Sequence, residues 1–279
     1  MALHRATARP SDTQLQAWAH ARSLRLTPEN TPLVVWYLCN ASMLRTTGAV
    51  AGVVVPSLVK LAWSGRASVV GIFVGGDMQP GDVSWIFVGY LVGALYAELA
   101  LVRPIDRSHP VASLVPRQVG DYLPLRLLWA QRAAGVAAAV GALAMGAASF
   151  KEGFSEPSWA AAGFFAAFCV AFTGVLEVLQ GWVVRRPQPY TSPELVAADD
   201  ALRSQAVHSL AGAGLAWLLL SCAGIAPVLA AAGGSLVAWT MGVAGLVLLV
   251  TALACCQYLT ARPWRVRRGS PNGPSGVPA

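Results

Sequence analysis

Arg185-Arg186-Pro187-Gln188-Pro189-Tyr190-Thr191-Ser192-Pro193-Glu194-Leu195-Val196-Ala197-Ala198-Asp199-Asp200-Ala201-Leu202-Arg203 lies between two long apolar runs and carries the densest mixture of charge in the second half of the chain. It reads as an exit followed by an entrance. Arg186-Pro187 closes the preceding apolar segment, because proline cannot extend a helical hydrogen-bond ladder. Ser192-Pro193-Glu194 then opens a helix, with a hydroxyl cap, proline in the first turn and an acid at the positive end of the dipole. Similar punctuation recurs along the chain and points to an all-α polytopic membrane protein.

Composition agrees. Charged residues make up 12% of the chain and hydrophobic residues 56%, whereas a soluble domain carries about 25% charge. So few charges could not clothe a water-soluble surface of this size. The net charge of +7 raises the question of nucleic acid. The basic residues flank apolar segments and line no aromatic-interleaved stripe, so no nucleic-acid partner is expected. Cys39, Cys169, Cys222, Cys255 and Cys256 show no C-x-x-C spacing, and four of them sit in apolar runs. They read as buried small hydrophobes, with neither a disulfide framework nor a metal site. No cofactor is implied.

Six transmembrane helices are predicted at about 46–63, 84–102, 133–150, 159–184, 207–232 and 236–259, within a membrane domain covering 28–263. Each is close to the roughly 20 residues that cross a bilayer core of about 30 Å. In the leader, 1–27, Leu15, Trp18, Ala19 and Leu26 share a helical face with the stem of Arg22. That pattern predicts a short amphipathic helix on the membrane surface. Thr27-Pro28-Glu29 is the expected start of the next helix. The tail, 264–279, is basic and then rich in Pro and Gly, and is expected to be disordered. Gly89-x-x-x-Gly93-x-x-x-Ala97 gives the second span a smooth edge for close helix contact. The third span is mostly Ala and Gly, which predicts a place at the centre of the bundle. Seventeen of the twenty Lys and Arg fall in segments 1–45, 103–133, 185–206 and 260–279. The positive-inside rule therefore puts both termini in the cytoplasm of a multi-pass cell-membrane protein.

A threefold pattern runs through this layout. The even-numbered spans end at Arg103-Pro104, Arg186-Pro187 and Arg262-Pro263, and Pro28, Pro116 and Pro193 precede Gly48, Gly135 and Gly212 by 20, 19 and 19 residues. The pattern suggests three repeated units of cytoplasmic helix plus membrane hairpin. Positive-inside charge and proline helix stops would produce part of it without any repeat.

Intramembrane carboxylates are costly and draw attention first. Glu98 and Glu177 lie toward the cytoplasmic ends of their spans, with Arg45 and Arg132 at comparable depth. The bland reading makes Glu98–Arg45 and Glu177–Arg132 polar clasps. The functional reading makes these residues, with Gln180, Gln257 and His208, an ion or proton site. Arg186, Glu194, Asp199, Asp200 and Arg203 form the candidate docking surface for a soluble partner, although Asp199 and Arg203 have the i,i+4 spacing of a simple pair. Catalytic signatures such as G-x-S-x-G or H-E-x-x-H are missing from the sequence, and an enzyme is not expected.

The run Arg185–Pro189 followed by Leu195–Arg203 resembles uncharacterised six-span integral membrane proteins of actinobacteria. In layout the chain looks like permease subunits of ATP-binding-cassette systems, which have six spans, a leading surface helix and cytoplasmic coupling segments. That resemblance implies a membrane subunit of a transport system, energised by a separate cytoplasmic ATPase. The alternative is a non-transporting membrane scaffold or sensor, forming homo- or hetero-oligomers in the bilayer.

Overall fold

The computed structural model describes residues 10–64, 80–100, 117–151, 157–187 and 192–231, with isolated helical positions between 240 and 254. Seven helices account for the continuous segments: α1 (Asp12–Ala21), α2 (Thr31–Ser64), α3 (Pro80–Ala100), α4 (Val119–Tyr122), α5 (Leu125–Lys151), α6 (Pro157–Arg185) and α7 (Pro193–Ala231). The described residues contain no strand. The expected sixth span and the tail lie outside them, apart from those isolated positions.

Helix α1 begins with a reciprocal cap in which Gln14 N–H donates to Ser11 Oγ at 3.3 Å and Ser11 N–H donates to Gln14 Oε1 at 3.1 Å. It ends where Ser23 takes a left-handed φ of 52°. That conformation is disfavoured for a residue bearing a Cβ. It lets Leu24 N–H reach the Ala19 carbonyl at 2.9 Å and turns the Leu24 side chain inward. Leu15, Ala19 and Leu24 pack on Val34 of α2 and on Ala198 and Ala201 of α7. The apolar face that the sequence assigned to the membrane surface is thus largely covered by protein.

The expected helix start at Thr27-Pro28-Glu29 is a turn, and α2 begins at Thr31. Asn30 explains the shift. Thr27 N–H donates to Asn30 Oδ1 at 2.9 Å, and the Asn30 amide donates to the Arg25 carbonyl at 2.9 Å. This buried side chain satisfies two backbone groups that would otherwise be orphaned.

Helices α2 and α3 form an antiparallel hairpin with a glycine seam. A Cβ added at Gly48 would lie 2.8 Å from the Gly93 Cα, and one at Gly89 would lie 2.7 Å from the Gly52 Cα. Backbone meets backbone here, as the Gly89–Gly93 spacing suggested. The register runs from Gly93 beside Leu44 to Trp85 beside Gly52.

The centre belongs to α7. Over Pro193–Ile225, 83% of its most apolar window is buried, against 33% over Leu125–Ala147. This corrects the expectation that the Ala/Gly-rich third span is central. Small residues on α5 do permit close approach, but on one side only. Ala134, Ala138 and Ala142 meet Leu215, Trp217 and Leu218 of α7, while Val136 and Val140 point outward. The enclosed position needs bulk to fill the space between neighbours, and α7 supplies it. Its contacts run to α3, α5 and α6.

Three helices start earlier than hydropathy suggested. Each runs without a break through its polar approach: α2 through Arg45, α5 through Arg132, and α7 through Asp199, Asp200 and Arg203. A helix satisfies its own backbone, so a paired charge need not interrupt it. At 39 residues, α7 spans about 58 Å. Among the described residues, four helices are long and apolar enough to cross a membrane: Thr31–Val59, Leu125–Ala147, Ala162–Arg185 and Pro193–Ile225. Trp85–Ala100 is a shorter apolar helix beside them.

Candidate functional site

Arg186, Asp199, Asp200 and Arg203 take part in a largely buried ionic network at one end of the bundle. Arg203 is fully enclosed, and its guanidinium makes four contacts. Nε donates to Asp199 Oδ2 at 2.7 Å, one helical turn back. Nη1 donates to the carbonyls of Val184 at 2.9 Å and Arg186 at 2.6 Å, and Nη2 to that of Pro187 at 3.1 Å. These carbonyls close the C-terminal end of α6, where no helical N–H remains to pair with them. A cation from α7 therefore caps α6 and ties the two helices together at this end.

Arg186 carries the network across the bundle. Its Nη1 donates to Glu98 Oε2 of α3 at 2.8 Å and its Nη2 to Asp199 Oδ1 at 3.3 Å. Burial alone would lower the Arg186 pKa, but the charges of Glu98 and Asp199 more than offset it and the guanidinium is held firmly protonated. Glu98, 1% exposed, also accepts a hydrogen bond from the Tyr37 phenol of α2 and faces Arg45 Nη2 at 3.9 Å. A second arm lies alongside. Asp200 accepts from the Tyr122 hydroxyl at 3.1 Å and faces Arg117 at 3.4 Å.

Both pairs expected from depth are present, but they differ in setting. Glu98–Arg45 is interior and shares Glu98 with Arg186 and Tyr37. Glu177–Arg132 is an outer clasp, bidentate at 2.7 and 2.9 Å, with the guanidinium 5.3 Å from the Trp129 ring. Asp199 and Arg203 pair as i,i+4 neighbours, and the pair is buried rather than displayed on a surface. Of the five candidate docking residues, only Glu194 is exposed in the first turn of α7.

Gln180 is buried and donates to Gln131 Oε1 at 3.1 Å, leaving Gln131 Nε2 and Gln180 Oε1 without protein partners. His208 is buried with Nδ1 2.8 Å from the Ser204 carbonyl. It belongs to an interior polar seam on α7 with Ser204, Gln205 and Ser209. Gln257 lies outside the described residues. No grouping of His, Cys, Asp or Glu among the described residues is arranged to hold a metal.

Sequence reasoning missed Tyr37, Arg117, Tyr122, Gln131 and Gln205. A weak signal existed for Tyr37, one turn before Ala41 and two before Arg45 on one helical face, but nothing in the sequence announces its partner 61 residues away. No protein-family model, curated protein or solved structure matches the chain.

Proposed function

We propose that this chain is a non-transporting membrane scaffold or sensor whose Arg-rich end faces the cytoplasm. One observation carries the reading: the apolar half of α7 is enclosed by side chains. Leu210, Ala213, Leu215, Trp217 and Leu218 are each at most 5% exposed, packed against the alanines of α5 and the residues Leu176, Val183 and Cys169 of α6. A substrate path needs polar, hydrated walls, and the described side chains packed around this half of α7 are apolar. The charges that a docking ATPase would read are mostly turned inward on one another.

The transport-subunit reading keeps one point in its favour. The seam Ser204–Gln205–His208–Ser209, with the unmet valences of Gln131 and Gln180, is polar enough to begin a hydrated path. Cysteine accessibility separates the two readings. In a background lacking the native cysteines, single cysteines at Leu210, Ala213 and Trp217 are exposed to a membrane-impermeant cationic thiol reagent in inside-out vesicles. A scaffold leaves all three unlabelled while an exposed control at Glu194 reacts. Labelling at Leu210 and Ala213, together with co-purification of an ATPase in mild detergent, would replace this proposal with the transport subunit.

A further inference from the structure

Beside the ionic network, the described residues hold more positive charge than they neutralise. Arg22, Arg45, Arg117, Arg186 and Arg203 stand against Glu98, Asp199 and Asp200. The surplus is local. Arg117, Arg186 and Arg203 each have a carboxylate within 3.4 Å. Arg45 approaches Glu98 only to 3.9 Å, and the Arg22 side chain bonds to neutral groups, the Gln205 amide oxygen and the Trp18 carbonyl.

The same neighbourhood contains hydrogen-bond donors with no acceptor. Arg45 is 8% exposed; its guanidinium meets the Tyr37 hydroxyl, while its Nε and Nη2 have no hydrogen-bond partner. Arg22 Nε and Trp18 Nε1 are likewise buried and unmet. Trp18 and Arg22 touch, and Arg45 stands nearby on α2. The Arg22 guanidinium lies 4.4 Å over the Trp18 ring, Trp18 packs with Tyr37 and Ala41, and Arg45 stands one turn beyond Ala41. Burial above all lowers the Arg22 pKa to about 10, with Tyr37 opposing and the charge of Arg45 adding to the fall. Two like charges are thus held near each other in a poorly solvated place.

Buried donors in proteins are satisfied in more than about nine cases in ten, and an unmet one is costly. Four unmet N–H-bearing nitrogens on two cations and an indole require an acceptor, and a negative one settles both deficits at once. A planar guanidinium matches the oxygens of a phosphate group. We propose that Trp18, Arg22 and Arg45 bind a phosphate-class oxyanion between α1 and α2, reached from the α1 side, where Arg22 is only partly buried. The α1 helix then serves as the clasp over this anion. Two sources supply that chemistry, an anionic lipid headgroup and free phosphate. The site does not depend on the choice between scaffold and transport subunit.

Full-length protein is unfolded by heat in detergent with inorganic phosphate, or with chloride at matched ionic strength. It is also unfolded in nanodiscs containing phosphatidylglycerol or only phosphatidylcholine. The expected result is a midpoint raised by several degrees with phosphate, with phosphatidylglycerol, or with both, and lost in Arg22→Gln and reduced in Trp18→Phe. Response in the lipid arm alone assigns a headgroup, and response in the phosphate arm alone assigns a soluble anion. These variants touch the rim of the network, so folding is checked first by size exclusion, and Arg45→Lys is a second probe that retains the charge. No shift in either arm overturns the site, as does a shift of unchanged size in Arg22→Gln.

Discussion

Arg203→Gln is the sharpest perturbation of this fold. The side chain is fully enclosed and joins Asp199 to three carbonyls at the end of α6. Removing one partner of a buried pair costs about 3–5 kcal/mol, because the remaining charge stays buried. Asp199 retains Arg186 at 3.3 Å, which holds the loss toward the middle of that range, about 4 kcal/mol. At about 1.4 kcal/mol per decade this is a shift of roughly a thousandfold in the folding equilibrium. The measurement is unfolding in mixed micelles titrated with dodecyl sulfate, followed by the fluorescence of the 10 tryptophans. Arg203→Lys keeps the charge but not the fork, so it should fall between wild type and Arg203→Gln. The double variant with Asp199→Asn should recover at least ~1.5 kcal/mol, since replacing both members of a buried pair costs far less than stranding one. Arg132→Gln, on the outer clasp, should shift the curve much less. If Arg203→Gln unfolds within about 1 kcal/mol of wild type and shows no coupling to Asp199, the pair behaves like an exposed one. The buried cap would then be wrong.

The glycine seam gives a second test. Gly89→Ala places a methyl against the Gly52 backbone and should destabilise by about 1–3 kcal/mol, whereas Gly163→Ala and Gly174→Ala meet nothing within 4 Å and should stabilise by about 0.5–1 kcal/mol through helix propensity; the same titration reads all three. A third test uses alkaline pH. The Tyr122 phenol is raised above its ordinary 10.0, first by burial and then by the charge of Asp200. The unfolded chain therefore loses this proton first, and the associated stability is complete below pH 10 and lost as pH climbs toward the folded pKa. Tyr122→Phe should flatten the fall in the unfolding midpoint between pH 9.5 and 11, and an unchanged slope would reject the assignment.

What the sequence revealed, and what it hid, divides along physical lines. The described helices were legible because their apolar runs are long, and the end of α6 because Arg186-Pro187 follows it. Gly89 and Gly93 announced a close contact because nothing else explains two glycines one turn apart in an apolar helix. The partners Gly48 and Gly52 were not legible, since the seam depends on register across a connection. Depth along the span predicted the pairs Glu98–Arg45 and Glu177–Arg132. It could not predict that Glu98 would also receive Arg186 and Tyr37, because angular position around the bundle leaves no trace in hydropathy. The same blindness misplaced the central helix. Alanines signal that something comes close, and only the packed structure shows whether it comes from one side or from all. Asp199, Asp200 and Arg203 looked like a solvated face for the same reason: a charged turn before an apolar run reads alike whether it meets water or an opposing guanidinium.

Why the chain retains so much buried charge follows from the character of its packing. The interface of α7 with α5 and α6 is mostly Ala, Leu and Val around Trp217 and Phe172, and apolar contacts are non-directional. Such surfaces supply attraction without choosing a single register. The guanidinium of Arg203 supplies the choice, because a fork aimed at the carbonyls of Val184, Arg186 and Pro187 is met in only one rotation and one height. Arg186 extends the constraint to α3 through Glu98, and Tyr37 extends it to α2. A buried ion pair is weak evidence for added stability when compared with a well-packed apolar substitute. Its contribution here is directional: the fork of Arg203 fixes the end of α6 against the first turns of α7.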